Sequence, residues 1–173
     1  MSEFSRPVRL DTIGAEPREV EIEAGASERE ALAKRFDIVS LDALTARATL
    51  IRRAGEVHAT GSLRAKLVQA CVATGVDLPA KIDAPFDIVF RDALPQDVPD
   101  AGLELNESEL DVVFFKGSAV DLGEAVAETL ALEIDPYARA PDADAVLREA
   151  GVLSEDEAQA AGGAFAGLAA LKN

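Results

Sequence analysis

Cys71 and His58 are the only cysteine and the only histidine in the chain, so they are the first residues to test for chemistry. A thiol nucleophile needs its imidazole within hydrogen-bond reach and surroundings that lower its pKa. The spacing argues against such a pair. Both lie in "EVHATGSLRAKLVQAC", where period-two alternation puts His58 with Arg64 and Lys66 on a polar face and Cys71 with Leu63 and Leu67 on an apolar one. An unbroken strand would also hold them ~40 Å apart at ~3.3 Å per residue. Cys71 therefore reads as a small buried side chain at a strand end.

Other chemistries find less. One cysteine and one histidine do not fill a zinc site, and the acidic run "ELNESELD" lacks the glycine turn and ligand spacing of a calcium loop. There is no Gly-rich phosphate loop, Gly-x-Ser-x-Gly elbow or His-Glu-x-x-His. Asp121, Glu124 and Glu128 form the set an acid/base enzyme would draw on, yet helix capping and helix-surface spacing account for them. No catalytic residue, metal or cofactor is expected.

The basic residues are the more informative group. Arg47, Arg53, Arg64 and Lys66 alternate onto one side of "ALTARATLIRRAGEVHATGSLRAKLVQAC", with Arg52 beside the intervening turn and Glu56 the only acid in that stretch. Laterally spaced cations of this kind bind phosphate backbones. The same residues also describe a solubilised strand face on which Arg and Lys discourage edge pairing. With no tryptophan and a single tyrosine, a base-stacking surface is not expected, so backbone or shape recognition fits better.

These residues must be positioned by strands. Leu44, Ala46, Ala48 and Leu50, then Val57, Ala59, Gly61, Leu63, Ala65, Leu67, Gln69 and Cys71, mark the inward faces of two long antiparallel strands. The small inward residues suit a curved sheet or half-open barrel. "PVRLDTI" and "REVEIEA" read as an opening hairpin, and "SEREALAKRF" as a helix near 27–36 capped by Ser27 and Glu30. "AKIDAPFDIVFRD" is a further strand whose Pro85 indicates an edge or bulge. "ELDVVFF" returns to strand, and a second helix near 121–132 starts at Asp121, presents Leu122, Val126, Leu130 and Leu132, and cannot pass Pro136.

Charge is uneven. Residues 1–92 carry 13 basic and 15 acidic groups, net −2, and residues 93–173 carry 4 and 17, net −13, which together make the chain's −15. A polyanion would dock on the first half, whereas the acidic second half, ending in "AFAGLAAL", suits a basic protein partner. The opening residues have no apolar run after their charges, and no later stretch reaches the ~18 apolar residues of a membrane span. A soluble protein of the reducing cytoplasm is expected, with no membrane partner.

The blocks "LAKRFDIVSLDALTARATL", "GSLRAKLVQACVATGVDLPAKIDAPFDIVF", "VDLGEAVAETLALEIDPYAR" and "AFAGLAALK", in that order, resemble the YceD family, in its alphaproteobacterial form. The resemblance covers roughly residues 7 to 171. It implies a non-enzymatic ribosome-biogenesis factor supporting the synthesis, processing or stability of large-subunit ribosomal RNA. Many members carry Cys-x-Arg-Cys where this chain has Cys71-Val72-Ala73-Thr74, so a metal or redox role resting on a cysteine pair does not transfer. The expected architecture is α+β: a curved, mostly antiparallel sheet with short flanking helices, a core over 1–140 and an acidic, Ala-rich helical extension over 141–173 that is not an independent domain. The expected partners are large-subunit rRNA or its precursor and a basic ribosomal protein or assembly factor, the RNA contacts falling on Arg47, Arg52, Arg53, Arg64 and Lys66. A half-barrel binding a small apolar ligand and a protein-interaction module without RNA contact are the alternatives.

Overall fold

The computed structural model describes residues 2–93 and 112–153. In chain order the elements are β1 (Pro7–Arg9), a 3-10 turn (Leu10–Thr12), β2 (Arg18–Glu23), α1 (Ala26–Arg35), β3 (Ser40–Arg53), β4 (Glu56–Ala70), β5 (Asp77–Asp92), β6 (Val112–Phe115), β7 (Ala119–Asp121), α2 (Leu122–Glu133) and α3 (Ala143–Glu149). The fold is α+β. Strands β2-β3-β4-β5-β6 form one sheet in that order, and β1 pairs with β7 in a second. The larger sheet does not close into a barrel, because β2 and β6 remain its edges. The chain divides into two compact units, Met1–Gln69 with Pro79–Pro136 and Ala70–Leu78 with Tyr137–Asn173.

The two strongest alternations in the sequence become β3 and β4, with the expected phase. Leu44, Ala46, Ala48, Leu50, Val57, Ala59, Leu63, Ala65 and Leu67 are buried, while Arg47, Arg53, Arg64 and Lys66 are exposed. Antiparallel pairing runs from Ser40↔Val68 to Arg53↔Glu56, with one irregularity between Leu41 and Ala43. The two-residue turn Ala54-Gly55 has positive φ at both positions, 51° and 91°, the left-handed geometry that matches the twist of a tight hairpin. On the buried side Ala84, Phe86, Ile88 and Phe90 of β5 join Leu32 and Ala33 of α1 and Leu122, Ala125, Val126 and Leu130 of α2 in one apolar core.

Gly61 shows how tightly that core closes on the hairpin. A methyl group there would meet the Arg47 carbonyl oxygen, the Phe86 ring at 2.8 Å and Ala48 Cα at 2.9 Å. The glycine lets the neighbouring backbone approach and leaves its space to Phe86, which removes at that point the opening that a ligand-holding half-barrel would need.

Three expectations are corrected. β1 and β2 do not form a hairpin: six residues of β2 pair with β3, and the shorter β1 pairs with β7, where Asp121 also accepts the Arg6 N–H (2.7 Å). Helix α1 is capped at Gly25 rather than Ser27, because Glu28 turns back to accept the Gly25 N–H (2.7 Å) while Glu30 instead pairs with Lys34 (2.9 Å). Leu132 does not share the buried face of Leu122, Val126 and Leu130; it is 83% exposed, as a two-residue step of ~200° around a helix dictates. The expected mostly antiparallel sheet is observed, with β6 parallel to β5 from Val89↔Val112 to Asp92↔Phe115.

Pro85 falls in β5 beyond the reach of β6, so among the described residues it does lie on an open strand edge. Asp121 caps α2 as expected, accepting from the N–H groups of Gly123 (3.1 Å) and Glu124 (3.2 Å). The runs "ELNESELD" and "AFAGLAAL" lie outside the described residues.

Two changes test this packing. Gly61→Ala costs about 2–3 kcal/mol in urea unfolding, since the nearest obstruction is backbone that cannot rotate away; unchanged stability would contradict the close approach. Glu28 accepts from both Arg6 guanidinium nitrogens (2.7 Å each) and from Gly25 N–H. Arg6 first, then Gly25, holds its carboxyl down at about 2, from an ordinary 4.5. A depressed carboxylate stabilises the fold in full above its unfolded value, and the contribution fades as pH falls through the folded one. Glu28→Ala therefore costs about 1 kcal/mol at neutral pH, and the difference from wild type closes between pH 4.5 and about 2.

Candidate nucleic-acid interface

Period-two geometry puts the odd-numbered residues of β3 from Ala43 onward, past the irregularity at Leu41, and the even-numbered residues of β4 on the sheet face away from the core. Across the hairpin this face aligns Ala43 with Lys66, Thr45 with Arg64, Arg47 with Ser62, Thr49 with Thr60, Ile51 with His58 and Arg53 with Glu56. It thus carries four of the five cations singled out from the sequence. Arg52 is the exception: alternation puts it on the face of Leu50, and its backbone N–H donates to the Gly14 carbonyl (2.8 Å).

The flanking strands supply what the hairpin's own sequence lacks. From β2, Glu19, Glu21 and Glu23 stand beside Thr49, Arg47 and Thr45, and Arg47 Nε reaches Glu21 at 3.2 Å. From β5, Asp83 pairs with Arg64 (3.0 Å), Asp87 accepts from Thr60 (3.4 Å) and Arg91 pairs with Glu56 (2.6 Å). In these three contacts each step of four residues down β4 matches a step of four up β5, so the two strands are antiparallel and their register follows. The middle of the face is therefore a row of cross-strand ion pairs, each exposed pair worth ~0.2–1 kcal/mol.

The ends differ from the middle. The same register sets Lys81 directly beside Lys66, and neither has an ionic partner among the described residues. Like charges facing each other across a strand pair repel. Lys81 escaped the sequence reading because it lies in a strand of mixed charge, and only the β4–β5 register brings it next to Lys66. At the other end, ~33 Å along the strand, Arg53 is exposed beside Glu56. What the sequence presented as one patch is two cationic ends joined by a charge-paired middle.

Between the ends the face is hollowed. A shallow depression of about 600 Å³ is lined by Glu19, Val20, Glu21, Arg47, Ala48, Thr49, Thr60, Gly61 and Ser62. A smaller one beside it is lined by Glu21, Thr45, Ala46, Arg47, Ser62 and Arg64. Hydroxyls and guanidinium groups in this arrangement can hydrogen-bond sugar or phosphate oxygens.

Of the remaining candidates, Glu128 is exposed on α2, and the others have structural neighbours. His58 lies on the polar face, 3.9 Å from Glu56. Glu124 pairs with Arg35 (2.8 Å), and that guanidinium holds its carboxyl below the usual range. Asp121 caps a helix and ties down Ser5 and Arg6. Cys71 is buried with Ala140 and Ala143, its sulfur accepting the Ala140 N–H (3.3 Å). Contact with the Thr74 hydroxyl, then with that N–H, lowers its thiol from 9.0 to about 7. No described helix is long and apolar enough to cross a membrane.

Comparison with known proteins adds one match. The model of a family described as "Large ribosomal RNA subunit accumulation protein YceD" matches residues 59–172. No curated protein and no solved structure matches the chain.

The Cys71 environment predicts a pH dependence. A thiol whose folded pKa is depressed stabilises the fold in full above its unfolded value, and that stabilisation is lost as pH falls through the folded one. The stability difference between wild type and Cys71→Ala should therefore grow in favour of wild type between pH about 7 and 9.0. Denaturation curves that shift in parallel over that window would contradict the assignment.

Proposed function

The chain belongs to the YceD family of large ribosomal RNA subunit accumulation proteins, and from that premise we propose that it supports large-subunit rRNA as a cytoplasmic binding factor rather than as an enzyme. The proposed RNA contact is the outer face of the sheet. Lys66 and Lys81 anchor one end with Arg64 beside them, Arg53 marks the other, and the hydroxyl-lined hollow lies between.

One observation carries this reading: Lys66 and Lys81 face each other across β4 and β5 without an ionic partner among the described residues, while Arg47, Arg64 and Arg91 nearby are all paired. The juxtaposition costs stability and gains nothing within the unit. A phosphate between the two ammonium groups would reverse the sign of that interaction, and displaced counterions would add a salt-dependent gain. Arg47 and Arg64 already hold Glu21 and Asp83, so they would orient a backbone rather than dominate its affinity. The absence of tryptophan favours backbone or shape recognition over base stacking. Support for binding without catalysis comes from two of the three carboxylates such chemistry would draw on: Asp121 is spent on a helix cap and Glu124 on Arg35, while Glu128 is exposed on the helix surface.

Purified protein should retain large-subunit rRNA at low salt, and Lys66→Gln with Lys81→Gln should weaken retention and reduce the slope of log affinity against log salt by about 2, one for each lost phosphate contact. An unchanged slope would remove this face from the RNA contact. Depleting the protein should lower large-subunit relative to small-subunit rRNA, and an unchanged ratio would overturn the role itself.

A further inference from the structure

The sheet stops at β2, and strand geometry says which of its backbone groups are left open. Ala24 N–H donates to the Leu44 carbonyl (3.0 Å). In an antiparallel pair the N–H and C=O of one residue point to the same side and alternate along the strand. Even-numbered residues of β2 therefore bond β3, and Glu19, Glu21 and Glu23 turn their backbone groups outward. Glu23 agrees, since its carbonyl accepts from the Arg6 guanidinium (2.8 Å). The backbone groups of Glu19 and Glu21 have no such partner among the described residues.

Both faces beside this edge are prepared. On the inner side an open groove of about 380 Å³ is lined by Val8, Val20 and Ile22, with Pro7, Arg9 and Arg18. Its cations, with Arg6 also at its wall, are engaged, Arg6 with Glu28, Arg9 with Asp11 and Arg18 with the Thr12 hydroxyl, which leaves apolar surface as the unfilled part. On the outer side stand the carboxylates of Glu19, Glu21 and Glu23, of which only Glu21 has an ionic partner among the described residues. A strand added here would drop alternate side chains into the groove and raise the others beside the glutamates.

We propose that β2 is a docking edge for an extended segment of a basic protein in which Lys or Arg alternates with apolar residues, bound by strand addition to Glu19 and Glu21. Main-chain hydrogen bonds supply affinity, and the two faces supply selectivity. A second copy of this chain fits poorly, because pairing β2 with β2 would bring two rows of glutamate onto one face. A purely protective role for the glutamates, as charges that keep an edge from pairing, leaves the open apolar groove unaccounted for.

The test uses the full chain freed of RNA, so its outcome does not depend on the nucleic-acid reading. The capped peptide Lys-Val-Lys-Ile-Lys-Val should bind, and at ten times its Kd hydrogen exchange at the Glu19 and Glu21 amides should slow about tenfold. The block isomer Lys-Lys-Lys-Val-Ile-Val should bind much more weakly. Glu21→Pro removes an N–H that faces away from β3, a position where an edge strand tolerates proline, and should abolish binding. Glu19→Lys with Glu23→Lys tests the charge without touching the backbone: it should weaken the basic peptide and favour its Glu-Val-Glu-Ile-Glu-Val counterpart. Equal binding of the block isomer, or unchanged exchange at Glu19 and Glu21 in wild type with peptide bound, overturns the proposal. So does a concentration-dependent dimer that protects those amides without peptide.

Discussion

A strand with one covered face has no freedom in where its other side chains go, and this constraint on β3 and β4 organises the rest of the molecule. Once Leu44, Leu50, Val57 and Leu63 are buried, Arg47, Arg53, Arg64 and Lys66 must stand on the opposite face. Their partners then come from whichever strands lie alongside. The buried face in turn dictates what packs on it. Small residues along the hairpin leave room for the bulk of Phe86 and Phe90 and for the apolar sides of α1 and α2, and at Gly61 the fit is close enough to exclude a methyl group.

The N-terminal residues are held by a different economy, of ions and caps rather than area. Arg6 bridges to Glu28, Arg35 bridges to both Glu3 and Glu124, and Asp121 accepts the Arg6 N–H while capping α2. These contacts join chain segments far apart in sequence around the ends of two helices. They also occupy Asp121 and Glu124, two of the three carboxylates considered for acid/base chemistry, while Glu128 stays exposed. The ionisable groups around these helix ends are accordingly a set of ties, and the proposed partner surfaces lie on the sheet instead.

Legibility from sequence followed the range of the interaction. The strands β3, β4 and β5 were readable because alternation is a property of consecutive residues. The cap of α2 was readable too, since Asp121 and the amides it accepts lie within one turn. The start of α1 was misplaced by two residues, because Glu28 is fixed by Gly25 on one side and by Arg6, far away in the chain, on the other. The supposed hairpin of β1 and β2 failed for the same reason: two short alternating runs next to each other carry no information about the longer or later strands that compete for them.

The cationic face draws the sharpest line between the two sources. Residue types and period-two geometry are enough to decide that the long hairpin buries one side and turns Arg47, Arg53, Arg64 and Lys66 outward, and that the chain's single cysteine and histidine fall in opposite phases of the alternation. Which of those cations remain available was decided only by tertiary structure, because charge cancellation depends on neighbours across the sheet. Glu21 and Asp83 neutralise Arg47 and Arg64, Lys81 arrives beside Lys66, and β2, left at the edge, keeps its backbone open. Order along one strand is written in the chain, whereas strand order and register exist only once several strands have competed for the same core.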